Sequence, residues 1–216
     1  MAHRLLDDLN PAQKRAVTHG EGPLLIVAGA GTGETTVITR RIAYLISEKK
    51  ALPCEILALT FTDKSANEME ARVDVLVPYG YVDTWISTFH SFGDRILKEF
   101  SVEAGLDPAY RLLTREEQYI FLKERLFDLP ASRHFIPLGN PAKFLEALIT
   151  HFSRAKDEDI GPEDYAKYAK KLKGKNDEAQ KSREIAALYG AYEKLKDAEG
   201  FIDYGDQIRL MRKLLS

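Results

Sequence analysis

Apolar residues over the first hundred positions follow two alternating rhythms. Leu24 to Ala28 is a short unbroken apolar run, the pattern of a buried strand. From Thr35 to Ser47, Val37, Ile38, Ile42, Leu45 and Ile46 recur at helical spacing. Glu55 to Thr60 predicts a second strand, and Ser65 to Val77 a second helix stopped by Pro78. Asp83 to Ser87 predicts a third strand, and Phe89 to Phe100 a third helix. Strands alternating with helices imply a parallel sheet with right-handed crossovers.

Beyond about residue 105 the strand signals cease. Thr114-Arg-Glu-Glu117 reads as a capping box opening a helix to about Phe127. Asn140-Pro141 predicts the start of another, running to about Ala155. Gly161-Pro162 starts a third, and Asp177 to Glu199 forms a long fourth closed by Gly200. This block reads as all-helical. Phe201 to Tyr204 then looks extended and leads into a short final helix. The pattern is an α/β domain interrupted by a helical one, with the chain returning to the first near residue 200.

Composition narrows the function classes only slightly. A formal net charge of −2 over 216 residues gives no global signal for nucleic acid, so any such site must be a local patch. The lone Cys54 excludes an internal disulfide and a cysteine-based zinc site, and suits a reducing compartment. The polar, acidic N-terminus is not a signal peptide, and no apolar run approaches the ~18 residues of a membrane helix. A cytoplasmic protein without a membrane partner is the expectation.

Candidate chemistry enters at Leu25-Ile-Val-Ala-Gly-Ala-Gly-Thr-Gly-Glu-Thr-Thr36, a strand running into a glycine-rich turn and a helix. Ala28 to Thr35 fits the phosphate-binding P-loop at every place but one, with Ala28 standing for the usual first glycine. Gly29, Ala30, Gly31, Thr32 and Gly33 offer small residues whose backbone N–H groups can converge on an anion. Thr35 is placed to hold Mg²⁺. Glu34, however, stands where such a loop carries lysine. Two unit charges ~4 Å apart interact by roughly 4 kcal/mol at an effective dielectric near 20. Exchanging an attraction for a repulsion of that size, even heavily screened, outweighs the roughly 4 kcal/mol between micromolar and millimolar binding. The competing reading is a tight strand-to-helix turn with no ligand.

Three further stretches make a resemblance specific. Leu9-Asn-Pro-Ala-Gln13-Lys-Arg-Ala-Val17 precedes the first strand. Leu59-Thr-Phe-Thr-Asp-Lys-Ser-Ala-Asn-Glu-Met69, with Arg72, follows the second. Ile86-Ser-Thr-Phe-His-Ser91 follows the third. In this order and spacing, together with the P-loop, they resemble the N-terminal region of superfamily 1 DNA helicases of the UvrD/Rep/PcrA type. The likeness is strong over residues 1–100, weaker through the helical block, and returns at Gly200-Phe-Ile-Asp-Tyr-Gly-Asp206.

That resemblance implies a P-loop (RecA-like) parallel sheet with an inserted all-helical subdomain. Residues 1–105 and 200–216 would be a partial motor domain 1A, and 106–199 the inserted domain 1B. It implies ATP and Mg²⁺ as cofactors, single-stranded DNA and single-strand/duplex junctions as partners, 3′-to-5′ unwinding, and a cytoplasmic, nucleoid-associated location. Gln13 would read the adenine edge, with Thr36 beside it where the family often has arginine. Thr60, Phe61, Thr62 and Lys64 would lie on single-stranded DNA, with Phe61 stacked on a base. Arg72, Thr88, His90 and Ser91 would contact the same strand.

Plainer roles stand beside these: Gln13 on a helix surface, Phe61 in the core, His90 structural, Arg72 in a surface ion pair. Residues 101–200 hold 17 basic and 18 acidic side chains, so the block is not generally basic. Tyr165 to Lys175 carries five lysines and no acid, which suits phosphate contacts or a solvated helix end equally.

The family's next landmark, an apolar strand ending in Asp-Glu, has no match, nor do the arginines of the second motor domain. Phosphoryl transfer needs metal, water positioning and charge stabilisation together, so the resemblance implies an N-terminal fragment that does not hydrolyse ATP alone. The alternative is a non-catalytic DNA-binding module with a degenerate P-loop. Glu34 reads equally as a natural change in a degenerate homologue and as an introduced or erroneous one.

Overall fold

The computed structural model describes residues 5–29, 31–77, 84–172 and 177–216. The chain divides into two compact units, Met1–Phe92 and Gly93–Ser216. This division falls at different places from the boundaries expected at 105 and 200.

The first unit runs α1 (Pro11–Thr18), α2 (Glu34–Ser47), a 3-10 turn (Pro53–Glu55), β1 (Leu57–Thr60), α3 (Asp63–Leu76), β2 (Trp85–Thr88) and the start of α4 (Phe89–Glu99). Strands β1 and β2 pair in parallel from Leu57↔Trp85 to Thr60↔Thr88, as the alternating pattern predicted. Helix α3 starts two residues earlier than expected, because Thr62 caps it by accepting from Ser65 N. Ile42 and Ala43 of α2 and Met69 and Val73 of α3 form one core. Leu9, Ala16, Val17 and Val37 seat α1 on α2. Pro78 and Asp83, assigned above to a helix stop and a strand start, lie outside the described residues.

The expectation of a buried strand at Leu24–Ala28 is corrected. These residues pair with no strand among those described, and Leu25 and Val27 are 87% and 90% exposed. An apolar run becomes a buried strand only where neighbours satisfy its backbone and cover both faces. The described sheet of this unit, β1–β2, offers it neither.

The second unit continues α4 and adds β3 (Arg111–Leu113), α5 (Arg115–Glu124), α6 (Leu145–Asp157), α7 (Pro162–Lys171), α8 (Asp177–Ala198), β4 (Phe201–Asp203) and α9 (Tyr204–Leu214). Thr114 and Glu117 form the expected capping box, and Gly200 closes α8 at φ +67°. Two expectations are corrected. Residues 106–199 are not all-helical, because Arg111–Leu113 pairs in parallel with Phe201–Asp203. A three-residue strand whose partner lies about ninety positions away leaves no local periodicity. Helix α6 begins at Leu145, not beside Asn140-Pro141, which forms a turn closed by Lys143 N donating to the Asn140 carbonyl. The core packs α5, α6 and α8 around Phe152, which stacks on Tyr189 and Tyr192 at centroid distances of 4.8 and 5.4 Å.

Beneath that stack lies a buried cluster of charges. Lys156 on α6 and Lys196 on α8 are 3% and 0% exposed. Lys156 Nζ sits 2.6 Å from Asp206 Oδ1, 2.7 Å from Asp203 Oδ2 and 2.8 Å from Glu193 Oε1. Lys196 Nζ reaches Asp203 Oδ2 at 2.9 Å, Glu193 Oε1 at 3.2 Å, and Asp206. Asp203 and Asp206 also close a reciprocal cap on α9, and the Tyr192 hydroxyl donates toward Asp203 at 3.0 Å. Burial works against both ammonium charges. For Lys196 the neighbouring Lys156 adds to that, yet the three carboxylates outweigh it and hold both lysines above the ordinary value. Burial likewise opposes the Asp203 charge, but Lys156 and Lys196 pull it well below the usual carboxylate range. Burial wins at Glu193, whose carboxyl is raised and keeps its proton more readily.

The ligand atoms of Glu193, Asp203 and Asp206 lie within 4.8 Å of one another, a spacing that suits a metal. The two ammoniums already occupy that centre, so the group is an ion-pair core. Gly205 is glycine for the same reason: a Cβ there would stand 2.7 Å from Lys156 Cδ.

Removing one cation would strand buried carboxylates, at a cost of about 3–5 kcal/mol. Lys156→Ala is therefore expected to lower second-unit stability by that amount in urea denaturation. Lys98→Ala, which breaks the exposed pair with Asp94, is expected to cost under ~1 kcal/mol. Similar losses for the two variants would mean that the cluster contributes no more than a surface pair.

Candidate functional site

The site is built around the turn leading into α2. Gly31 and Gly33 hold φ of +78° and +90°, the left-handed region that only glycine adopts without strain. Thr32 closes the turn, its hydroxyl donating to the Gly29 carbonyl at 2.7 Å and its N–H to the same carbonyl at 3.2 Å. Gly33 is the N-cap of α2, with Glu34 and Thr35 in the first turn, so the free amides of a helix N-terminus open here.

Gln13 anchors this turn to α1. Its amide Nε2 donates to the Thr32 carbonyl at 3.0 Å, while its Oε1 accepts from Asn10 N at 3.0 Å. Asn10 Oδ1 accepts from Gln13 N in return, so the glutamine is both half of a capping box and the strut of the turn. Asn10 and Thr32 as its partners were not foreseen from sequence, although Asn-Pro followed by Gln at the third helical position is a capping signature. Two cavities flank the turn. One of about 500 Å³ has Gln13, Ile26, Ala28, Gly29 and Val37 on its walls, with Glu34 at its edge. The other, about 470 Å³, is lined by Gly31, Gly33, Glu34, Thr35, Thr36 and Arg72. Apolar walls beside bare amides suit a ring carrying an anionic tail. Glu34 lines both spaces, and its charge would oppose an anion there. Ala30 lies outside the described residues.

Apart from Arg72, the remaining candidates gather at the C-terminal ends of the two parallel strands, where ligands of open α/β sheets bind. Thr60 and Thr88 are register partners there. Phe61 follows β1 and is 90% exposed, so it is not a core residue. It lies 5.8 Å from Phe89, centroid to centroid, making an aromatic pair at the strand ends. The Thr88 hydroxyl donates to Ser91 Oγ at 2.8 Å and accepts from Ser91 N at 3.1 Å. That arrangement shapes the start of α4, on which His90 is exposed. Thr62 is committed to capping α3, and Lys64 projects from its exposed first turn. Arg72 pairs with Glu68 one turn back at 2.5 Å, so it stands beside the phosphate turn and apart from the strand ends.

A family model described as the UvrD/REP helicase N-terminal domain matches residues 9–216. The chain is 37% identical over 219 residues to the ATP-dependent DNA helicase PcrA of Bacillus subtilis, covering 99% of this chain and 27% of that protein. It is 37% identical over 205 residues to the PcrA of Staphylococcus epidermidis, and 34% over 208 residues to that of Leuconostoc citreum, covering 26% of each. The chain thus spans about a quarter of the length of these relatives.

The geometry of the turn yields a direct test. A Cβ on Gly33 would meet Gln13 Nε2 at 3.0 Å as well as forcing a left-handed φ. The backbone term alone costs roughly 1–2 kcal/mol. Gly33→Ala is expected to lower the thermal midpoint of the first unit. Gly29→Ala, whose Cβ would meet only Thr32 Cγ2 at 3.8 Å, is expected to leave it nearly unchanged.

Proposed function

The chain belongs to the UvrD/REP helicase N-terminal domain family, and on that premise we propose that it is the ATP- and single-stranded-DNA-binding portion of a 3′-to-5′ DNA helicase. The observation that carries this reading is the left-handed glycine turn at the N-terminus of α2, braced by Gln13 and followed at once by Thr35. Bare amides and a helix dipole receive phosphates, and the Thr35 hydroxyl is the ligand available to Mg²⁺. The donor set fits an Mg-nucleotide everywhere except at Glu34, which repels the outer phosphates that the metal would otherwise help neutralise. Mg²⁺ held there by the Thr35 hydroxyl would supply positive charge against that of the phosphates. The residues of this chain supply binding and orientation, and no described group is placed to activate water.

On the same reading, Phe61 and Phe89 offer stacking faces to bases of a single strand, worth about 1–3 kcal/mol per base. Thr60, Thr62, Lys64, His90 and Ser91 would line the backbone track beside them, with the buried Thr88 holding Ser91 in place. We assign 1–105 with 200–216 to a partial motor domain 1A and 106–199 to the inserted domain 1B that steadies duplex at a junction. The parallel β3–β4 pair then stitches together the start and end of the insertion. No described helix is long and apolar enough to cross a membrane. Glu34 favours a second reading, a DNA-binding module that no longer uses ATP.

Calorimetric titration with Mg-ATP, comparing the chain with its Glu34→Lys variant, separates the two. On the helicase reading the variant binds at least about tenfold more tightly, a gain of roughly 1.4 kcal/mol that lies well within the electrostatic difference at that position. Equal, negligible binding by both would favour the module that does not use ATP. For the DNA face, Phe61→Ala is expected to weaken binding of a single-stranded oligonucleotide by about 1–3 kcal/mol without lowering thermal stability. Unchanged affinity would remove the strand ends from the DNA track.

A further inference from the structure

The second unit holds a titratable constellation that neither the nucleotide turn nor the strand ends use. The segment from Arg125 to Phe144, between α5 and α6, contains no helix or strand. It nevertheless packs Leu129, Phe135 and Ile136 against the helical core. At its start the Arg125 guanidinium grips the Glu199 carboxylate through Nε and NH2, at 2.6 and 2.7 Å. Further along, Ser132 Oγ donates to Glu184 Oε2 at 2.6 Å, and the His134 backbone N–H donates to the same oxygen at 3.0 Å. The His134 ring lies between two carboxylates of α8: Nδ1 is 2.8 Å from Glu184 Oε1, and Nε2 is 2.9 Å from Asp177 Oδ1. Phe135 N donates to Ser132 Oγ, completing the tie.

A neutral imidazole has one N–H and one lone pair. With a carboxylate oxygen at each nitrogen, the neutral ring would point its lone pair at an anion. Both contacts are attractive only in the imidazolium form. We propose that His134 is a protonation-controlled latch, holding the 129–144 part of this segment on the core while the ring is charged and releasing it as the proton leaves. The other groups facing the ring agree. Lys181 bonds the far oxygen of Asp177 at 2.5 Å, and Gln180 approaches Glu184 Oε1 at 3.5 Å, so both carboxylates stay ionised and in place. The hydrogen bond to Glu184 leads the causes that raise the His134 pKa; burial opposes it, and Asp177 adds to the rise. The Arg125 guanidinium is held above its ordinary value, chiefly by its hydrogen bond to Glu199, so it keeps its charge and the start of the segment stays fixed when the latch opens.

The sign follows from linkage. A histidine raised in the folded state contributes stability fully below its unfolded pKa of about 6.5. That contribution shrinks as pH rises from there and is gone above the folded midpoint. The test is an NMR titration of the 216-residue chain, following the His134 ring nitrogens together with amide-exchange protection at His134 and Phe135. Protection, corrected for base catalysis, should be level below about pH 6.5 and fall above it. It should level off beyond the ring's own midpoint, with a total loss of tenfold for each unit by which that midpoint exceeds about 6.5. His134→Gln should show no such fall. Should that variant fail to fold, Glu184→Gln should move the ring midpoint and the pH at which protection levels off downward together, and shrink the total loss. A ring midpoint at or below about 6.5, protection that ignores the ring's titration, or an unchanged fall in His134→Gln would overturn the latch.

Discussion

The second unit depends on the contact of Lys156 and Lys196 with Asp203 and Asp206. It joins α6 to the consecutive elements α8, β4 and the cap of α9 at one point, so a helix some twenty or more residues upstream shares a single electrostatic centre with all three. Isolated charges are expensive to bury, and this arrangement survives because each ammonium meets several oxygens at once. The same two aspartates cap α9, Asp203 through its other oxygen, which ties the direction of α9 to the position of α6. Lys156 reaches the centre only across Gly205, where any Cβ would intrude. Not every polar group in this core is so well served. Gln207, one turn into α9 and 1% exposed, has no partner for either amide atom.

The first unit rests on backbone conformation. Two left-handed glycines aim the turn at the N-terminus of α2, and Gln13 fixes it from outside. The result is a concave turn shaped by backbone and one amide side chain, with Glu34 and Arg72 on the walls of the space beside it. Glu34 lies on the exposed face of the first helical turn, so it leaves the fold alone and acts on whatever enters. The fold and the ligand preference of this turn are thus decided by different residues: glycines and Gln13 for shape, position 34 for charge.

Parallel pairing recurs in both units and in each does more than hold a sheet together. In the first, the β1–β2 register brings Thr60 and Thr88 side by side and places Phe61 against Phe89. In the second, the β3–β4 pair closes a loop of almost ninety residues with three residue pairs. The short extent of these sheets leaves Leu24–Ala28 without a neighbour, and its apolar side chains stay in solvent.

Much of this was legible in the linear chain, because it is encoded locally. Helical spacing located α2, α3, α4 and α8; Gly200 marked the end of α8; Thr114 and Glu117 marked the start of α5. The phosphate turn announced itself through its glycines, and the order of four short motifs pointed to the helicase family. What escaped was encoded at long range. The strand at Arg111 exists only because Phe201 lies beside it, and the apolar run at Leu24 is not a strand because no described strand does. Lys156, Lys196, Glu193, Asp203 and Asp206 look like ordinary surface charges in sequence and vanish into a near-neutral count. His134 gives no signal at all, since its two carboxylates come from another helix. Sequence by itself determined most of the helices and where the glycine turn sits, because those depend on neighbours within a few residues. Tertiary structure alone decided which charges are buried, which strands pair and which histidine is clamped, because each requires partners whose distance along the chain carries no local trace.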